Sequence, residues 1–320
     1  MKKELYEAIR TKRKISQIAV HDDADGLTSA VLLAKFHDVQ KIFVPDEFGD
    51  TLDPETKSDS EVMVDMVPLN PMKDILVFDH HPNHPAKEER KYTLIWDSVP
   101  TSLIVYSIFE DLIPEQERWK VAVGLVGDGQ AELIPPSIWK AFPELLMGYG
   151  TVYEKYGDVK ISSWPVYIRL SSGINAACKL GSDKWYTAYQ VLKNATTPLQ
   201  ILTDPSLEAA KDLVEREKAR ILGTTHPIEL NYIRLWDLDS EYKMERHLAP
   251  IVGKETWKSD LLVNTKTRRI SLRGSLTLWV VEEMNKMGYQ INGHPGFCGG
   301  RLPEDKEFED LVKDLQKAGL

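Results

Sequence analysis

Two short stretches concentrate titratable side chains at the ends of apolar runs. His21, Asp22, Asp23 and Asp25 follow ISQIAV as HDDADG, and Asp79, His80 and His81 follow DILVF as DHH. Asp65 sits in a third run, EVMVDMV, and Asp128 closes a fourth, VAVGLVGDG. Each fragment alone has a plain explanation, because Asp-x-Asp-Gly is a common turn and Asp before Gly a common cap. Their conjunction is harder to dismiss. Ligands of an open parallel sheet bind at the carboxyl ends of its strands, so the four runs would deliver carboxylates and imidazoles to one edge. Six or seven such groups in one crevice repel one another unless multivalent cations neutralise them. Carboxylates with a minority of imidazole and no thiolate suit Mn²⁺ or Mg²⁺, and the histidines favour manganese. Two cations about 3.5–4 Å apart that share carboxylates form the usual apparatus for in-line phosphoryl displacement.

The elements that must carry these residues are readable from periodicity. ISQIAV (15–20) predicts a buried strand and LTSAVLLAKF (27–36) the helix after it, with further strands at 61–67, 74–79 and 94–96. TSLIVYSIFEDLI (101–113) returns to helical spacing after Pro100, with Thr101 or Ser102 as the N-cap. Strands alternating with helices imply a mainly parallel sheet flanked by helices. Residues 116–196 read as nearly all helical, and SDKWYTAYQVLKNA opens on a Ser-Asp cap. SLEAAKDLVEREKARIL (206–222) is a charged amphipathic helix that either connects two lobes or lies on the surface. Strand-like segments resume at 228–236, 260–264 and 268–274, followed by the helix LTLWVVEEMNKMG, the glycine-rich NGHPGFCGGRLP and a last helix near 304–318. A boundary therefore falls between about 200 and 226. The expected layout is a domain of 1–200, a linker helix of 201–225 and a smaller α/β domain of 226–320.

Composition agrees with two soluble domains and excludes several classes. A chain of 320 residues is long for one core. No apolar run approaches the roughly 18 residues of a membrane span, and MKKELYEAIRTKRKI lacks the apolar core of a signal peptide. With only Cys178 and Cys298, neither a disulfide framework nor a cysteine-built zinc site can form. The expected compartment is the cytoplasm. Net charge is −9, and residues 1–150 hold 26 acidic against 16 basic side chains. An acidic first half argues against a general duplex binder. It suits cations held by the first half and a phosphorylated ligand gripped by the second, and equally a solvated surface of mixed charge.

In order and spacing, HDDADG, Asp65, DHH and VGDG resemble the four motifs of the DHH phosphoesterases. That superfamily includes RecJ-like exonucleases, nanoRNases, cyclic-dinucleotide phosphodiesterases and manganese pyrophosphatases, and His-x-Asp-x-Asp-Gly is most similar to the archaeal RecJ-like members. NGHPGFCGG resembles the Gly-Gly-His-x-x-Ala-Ala-Gly signature of the DHH-associated domain, and SLRGS its Arg-bearing strand. The resemblance implies two α/β domains with the active-site cleft between them. It implies that His21 and Asp23 hold one metal and Asp25, His80 and Asp128 the other, with Asp65 bridging. By the same resemblance His81 faces the phosphate and Asp79 orients the pair of histidines. Asp22 is expected to be a solvated neighbour.

The sequence also departs from the pattern. Ala19 stands where many relatives carry a histidine, four residues before the first Asp of the pair. Asn292 replaces the first glycine of the C-terminal signature, and Phe297 and Cys298 replace its alanines. Gly293, Gly299 and Gly300 still allow backbone amides to approach a phosphate, while Phe297 would narrow the pocket or offer a stacking face. Arg273, His294 and Arg301 are the phosphate-binding candidates. Lys266, Arg268 and Arg269 are expected on a solvated strand edge. The function implied is metal-dependent hydrolysis of terminal phosphodiester bonds in single-stranded DNA or RNA or short oligonucleotides, with two Mn²⁺ ions or Mg²⁺ in their place. A homodimer is left open. The competing readings are a cyclic-dinucleotide, nucleoside-bisphosphate or polyphosphate/pyrophosphate phosphatase and, further off, a non-catalytic replication or repair scaffold.

Overall fold

In the N-terminal part of a computed structural model, the apolar runs become β1 (Lys14–Val20), β2 (Asp38–Phe43), β3 (Val62–Val64), β4 (Leu76–Asp79) and β5 (Thr93–Trp96). The structure describes residues 14–45, 62–68, 75–82, 84–86, 89–147, 165–245, 248, 257–294 and 296–320; the opening segment 1–13 and part of the helical stretch 116–196 lie outside these. Every pairing in the first sheet is parallel, in the order β2-β1-β3-β4-β5. Successive residues of a strand face opposite sides of the sheet. Ile18, Ala19 and Val20 are nevertheless all buried, as are Val62, Met63, Val64, Val77 and Phe78. Both faces are therefore covered, as parallel sheets require. The sequence reading had no strand at β2. Its run DVQKIF carries Asp38, Gln40 and Lys41 because β2 is the sheet's edge, where polar residues are at home.

Helices follow in chain order: α1 (Ala24–Leu33), α2 (Thr101–Phe109), α3 (Lys120–Gly127), α4 (Pro136–Ala141), α5 (Val166–Lys179), α6 (Ser182–Asn194), α7 (Pro198–Leu202) and α8 (Pro205–Thr224). Every residue of α1 is buried, and it packs against α2 and α3 while α3 packs against α5. Two expected caps are corrected. Pro100, not Thr101 or Ser102, is the N-cap of α2, because both of those amides are engaged by a carboxylate described below. Gly181, at φ 106°, precedes α6, so Ser182 and Asp183 already lie in its first turn.

Contacts divide the chain into Met1–Lys211 and Asp212–Leu320, a division that falls within α8. The second unit holds β6 (Ile228–Glu229), β7 (Ile233–Asp237), β8 (Ser259–Asn264), β9 (Arg269–Arg273), α9 (Thr277–Lys286), β10 (Gln290–His294), β11 (Phe297–Arg301) and α10 (Phe308–Lys317). Its six-stranded sheet runs β10-β11-β9-β8-β7-β6 and is antiparallel except between β7 and β8. Val280 and Met284 of α9 and Leu311 and Leu315 of α10 share one core with Leu235, Leu261, Ile270 and Ile291. The expected single strand at 228–236 is two strands joined by a turn, and the glycine-rich NGHPGFCGGR is a β-hairpin. Gly300 is needed there, because a Cβ would come within 2.3 Å of the Gln290 carbonyl oxygen. Arg268 also departs from the expected solvated edge: at φ 58° it turns the chain between β8 and β9, and its guanidinium donates to the carbonyls of Pro303 and Lys306.

Candidate metal centre

Strand register sets the centre. Val20 pairs with Val64, and Val64 with Phe78. The next residues along, His21, Asp65 and Asp79, therefore form one row at the carboxyl edge, extended by Trp96 opposite Asp79. Main-chain bonds continue past the strands: the His21 amide donates to Val64 at 3.3 Å and the Asp65 amide to Phe78 at 2.8 Å. Strand order changes direction between β1 and β3, the switch point where such sheets bind ligands. Asp65 stands there with φ 61°, a left-handed conformation that aspartate tolerates better than most residues. Ala19 is buried within β1 and supplies no ligand. His21 lies one residue beyond the strand, with Nδ1 at 2.6 Å from Asp23 Oδ2 and 3.4 Å from Asp65 Oδ2.

The turn after β1 feeds α1. Asp23 caps that helix by accepting from the Gly26 amide at 3.1 Å. Asp25, in the first turn, is buried completely. Its Oδ2 accepts from the Thr101 amide at 2.7 Å and its Oδ1 from the Ser102 amide at 3.1 Å. The first turn of α2 has backbone donors without helical partners, and its positive end favours a carboxylate there. The Thr101 hydroxyl donates to Asp65 Oδ1 at 3.1 Å. One helix start thus orients two carboxylates.

Asp128 arrives differently from the strand end grouped with it in the sequence: the run before it is helix α3, and Asp128 is its C-cap. Gly124 lets that helix come close, since a Cβ would lie 2.3 Å from Ser102 Oγ and 2.6 Å from Asp25 Oδ1. Asp128 Oδ2 is buried and accepts no hydrogen bond from the described residues. It lies 3.2 Å from His80 Nε2, which is also 3.3 Å from Asp65 Oδ1.

Burial and mutual repulsion push three carboxyls upward. Desolvation raises Asp25, with Asp23 adding to it and the Ser102 hydrogen bonds opposing. Asp65 is raised well above the carboxylate range by burial, then by Asp25 and Asp23. Asp128 is pushed up to about 9 by burial and by Asp25, Asp65 and Asp23 in turn. Asp79 moves the other way: burial raises it, but hydrogen bonds from His81 and His84 outweigh that and hold it low.

The ligand-type atoms gather into groups, each with its members within 4.8 Å of one another: His21, Asp23 and Asp65; Asp25, His80 and Asp128; and Asp65, Asp79, His80 and His81. Oxygen and imidazole donors, an orphaned buried carboxylate oxygen on Asp128 and several mutually repelling carboxylates fit divalent cations of the manganese and magnesium kind. Binding such a cation would offset the repulsion among these carboxylates and favour their ionised forms.

Sequence reasoning missed the braces of the centre. Asp22, expected to be solvated, is buried. Lys179 of α5 donates to its carbonyl at 2.9 Å and lies 3.6 Å from its carboxylate. Asn175, one turn earlier, accepts from the Ala24 amide at 2.8 Å. His84 Nε2 lies 2.8 Å from Asp79 Oδ2, and His84 Nδ1 lies 2.7 Å from the Tyr92 hydroxyl. The sole sequence signal for any of these was the extra histidine in DHHPNHP.

In the second unit, His294 pairs with Phe297 and Phe297 with Arg273, so His294 and Arg273 share one row across three strands. Gly293 pairs with Cys298 and Gly299 with Asn292. Arg273 Nη1 donates to the carbonyls of Leu272 at 2.9 Å and Cys298 at 3.3 Å. Arg301 pairs with Arg269 at the far end of β11, about 13 Å along the strand from the Arg273 row at about 3.3 Å per residue. The fold does not gather Arg301 with Arg273 and His294. The side chains of His294 and Phe297 lie outside the described residues.

No helix among the described residues is long and apolar enough to cross a membrane. Neither a protein-family model nor a curated protein sequence matches the chain. Solved structures do. An exonuclease RecJ bound to manganese aligns over 98% of this chain and 92% of its own, with 17% identity and a TM-score of 0.65. RecJ from Thermus thermophilus, solved with Mn²⁺, aligns over 99% of this chain with 18% identity and a TM-score of 0.66, and the chain spans 53% of its length. The DHH domain of a protein described as belonging to a family of ribosomal proteins aligns over 98% of this chain and 88% of its own, with 13% identity and a TM-score of 0.64. Over nearly its whole length, this chain has the RecJ-like DHH fold.

Proposed function

We propose that the chain is a metal-dependent phosphoesterase that hydrolyses terminal phosphodiester bonds of single-stranded or short oligonucleotides. The observation that carries this reading is the convergence of two ligand groups, His21 with Asp23 and Asp65 and Asp25 with His80 and Asp128, on one sheet edge. In this reading His21 and Asp23 hold one Mn²⁺, Asp25, His80 and Asp128 hold a second, and Asp65 is shared. Mg²⁺ would suit the same carboxylates. Two divalent cations so held would lower the pKa of water and offset the charge that develops on a phosphoryl group.

The chain's own residues do the rest. Asp79 accepts from His81 Nδ1 at 2.7 Å, and His81, carrying hydrogen on both nitrogens, would donate from Nε2 to a phosphoryl oxygen. Thr101 keeps Asp65 turned toward both histidine-bearing groups. In the substrate-binding domain, Arg273, His294 and the backbone around Gly293, Gly299 and Gly300 hold the phosphates of the oligonucleotide, and Arg301 meets a phosphate further along the strand. Fold analogy with a protein described as an exonuclease, which aligns across both units, favours a polynucleotide substrate over pyrophosphate. The acidic balance of residues 1–150 favours short substrates. Two buried cysteines that form no disulfide suit work in the cytoplasm.

A substrate panel tests the reading. With Mn²⁺ present, end-labelled DNA and RNA oligonucleotides and a linear dinucleotide should lose terminal nucleotides. The Asp65→Ala variant should be inactive and should bind Mn²⁺ weakly or not at all by calorimetry while keeping its near-UV spectrum. Turnover confined to pyrophosphate, a nucleoside bisphosphate or a cyclic dinucleotide would replace the oligonucleotide assignment. Full activity in Asp65→Ala would end the two-cation assignment.

A further inference from the structure

Asp79 serves two imidazoles, and the function proposed above uses only one of them. Its Oδ1 accepts from the amides of His80 at 2.8 Å and His81 at 3.3 Å and lies 2.7 Å from His81 Nδ1. Among the described residues, its Oδ2 is met by His84 Nε2, at 2.8 Å. The far nitrogen of His84 is 2.7 Å from the Tyr92 hydroxyl. The four side chains thus form an unbroken file: Tyr92, His84, Asp79, His81. Asp79 is fully buried and the His84 side chain only 6% exposed, so water is poorly placed to substitute for either partner.

The order of donors along this file is forced. A carboxylate has acceptors only, so both imidazole nitrogens that face Asp79 must carry hydrogen. A neutral His84 with its hydrogen on Nε2 then accepts at Nδ1, and Tyr92 is the donor that holds it in that tautomer. His81, with its hydrogen on Nδ1, takes any second proton on Nε2, and from there it would donate to a phosphoryl oxygen. Pro82 and Pro85 flank the segment and restrict the backbone that returns His84 to Asp79. Removing His84 would strand Oδ2 as a buried acceptor and free Asp79 to rotate. His81 would then exchange between its two tautomers.

We infer that His84 is a positioning residue for His81, acting through Asp79, and that Tyr92 sets the His84 tautomer. The inference rests on the reading that His81 meets the phosphate, and the test separates the two. Hydrolysis of an end-labelled dinucleotide by the Mn²⁺-loaded full chain is compared for wild type, His84→Leu, His84→Gln and Tyr92→Phe. Loss of an outer partner of this kind costs about 10–100-fold, and His84→Leu should lower kcat by that factor. KM should stay within about twofold, because a group acting on the chemical step is not a binding contact. Mn²⁺ affinity should be unchanged. His84→Gln, whose amide can donate to Oδ2, should recover most of the loss, and Tyr92→Phe should fall between.

The second readout does not need turnover. In long-range proton–nitrogen spectra of the Mg²⁺-loaded protein, His81 should carry its hydrogen on Nδ1 in wild type and average between tautomers in His84→Leu. An inactive wild type would refute the phosphoesterase reading while the His81 tautomer still decided the file. Unchanged kcat or an unchanged His81 tautomer in His84→Leu would overturn the inference, as would a parallel loss of Mn²⁺ affinity in all three variants. Should His84→Leu fail to fold, Tyr92→Phe, which removes one oxygen atom, decides by the same two criteria.

Discussion

The carboxylate of Asp25 lies 2.7 Å from the amide nitrogen of Thr101, so a side chain from one helix completes the first turn of another. That turn, through the Thr101 hydroxyl, also holds Asp65. Asp25 is consequently both a candidate ligand and a structural acceptor, and the two roles predict opposite consequences when it is removed.

Asp25→Ala should destabilise the metal-free protein, although it removes a negative charge from a crowded site. Two buried amides, of Thr101 and Ser102, lose their acceptor, at a cost of about 1–3 kcal/mol. Denaturant unfolding in the presence of a chelator should show this, and calorimetry should show weakened Mn²⁺ binding. Increased stability would mean that relief of repulsion dominates.

The adjacent histidines should separate. His80 lies within 3.3 Å of both Asp65 and Asp128, whereas His81 is tied to Asp79. His80→Ala should reduce Mn²⁺ affinity. His81→Ala should keep its metal content and lower turnover by about 10²–10³-fold, the scale for removing one donor to a developing charge. Equal metal loss in both variants would show that they share one role.

Gly124→Ala tests the approach of α3. The added methyl would sit against Ser102 Oγ and Asp25 Oδ1, and overpacking of this kind costs about 1–3 kcal/mol. Thermal unfolding should register the loss. Mn²⁺ affinity should fall too, because Asp25 and Asp128 are displaced together.

Arg273→Ala and His294→Ala should raise KM for an oligonucleotide far more than they alter Mn²⁺ binding, because a contact made equally in ground and transition states appears in KM. A small artificial phosphodiester should be less affected than a dinucleotide. Steady-state kinetics with both substrates would check this, and unchanged KM would mean that the β10–β11 hairpin is structural. Arg301→Ala, from the far end of β11, should matter more as the substrate lengthens.

Much of the N-terminal architecture was legible because strand ends announce themselves: an apolar run that stops at Asp or His is a local signal. Asp128 was legible as a member of the centre, and the helical reading of 116–196 covers α3, but VAVGLVG has no polar face to show that the helix stops at Asp128. Apart from the extra histidine of DHHPNHP, the braces could not be read. Lys179 meets Asp22 across 157 positions and Thr101 meets Asp25 across 76, and nothing near either residue announces its partner. The hairpin at 290–301 was hidden by its glycines, which usually mark loops but here admit a neighbouring strand, as the 2.3 Å approach at Gly300 shows.

The common row of His21, Asp65 and Asp79 has a consequence for quality control. β3 has three residues, and a slip of one position would turn every side chain to the opposite face. Asp65 would leave the row and Val64 or Met66 would take its place. The ligand set assembles only when β1, β3 and β4 are in step, so cation uptake is a gauge of strand registration. A molecule that had collapsed with its strands out of phase would keep its secondary structure yet fail to load, and metal content would tell the two populations apart.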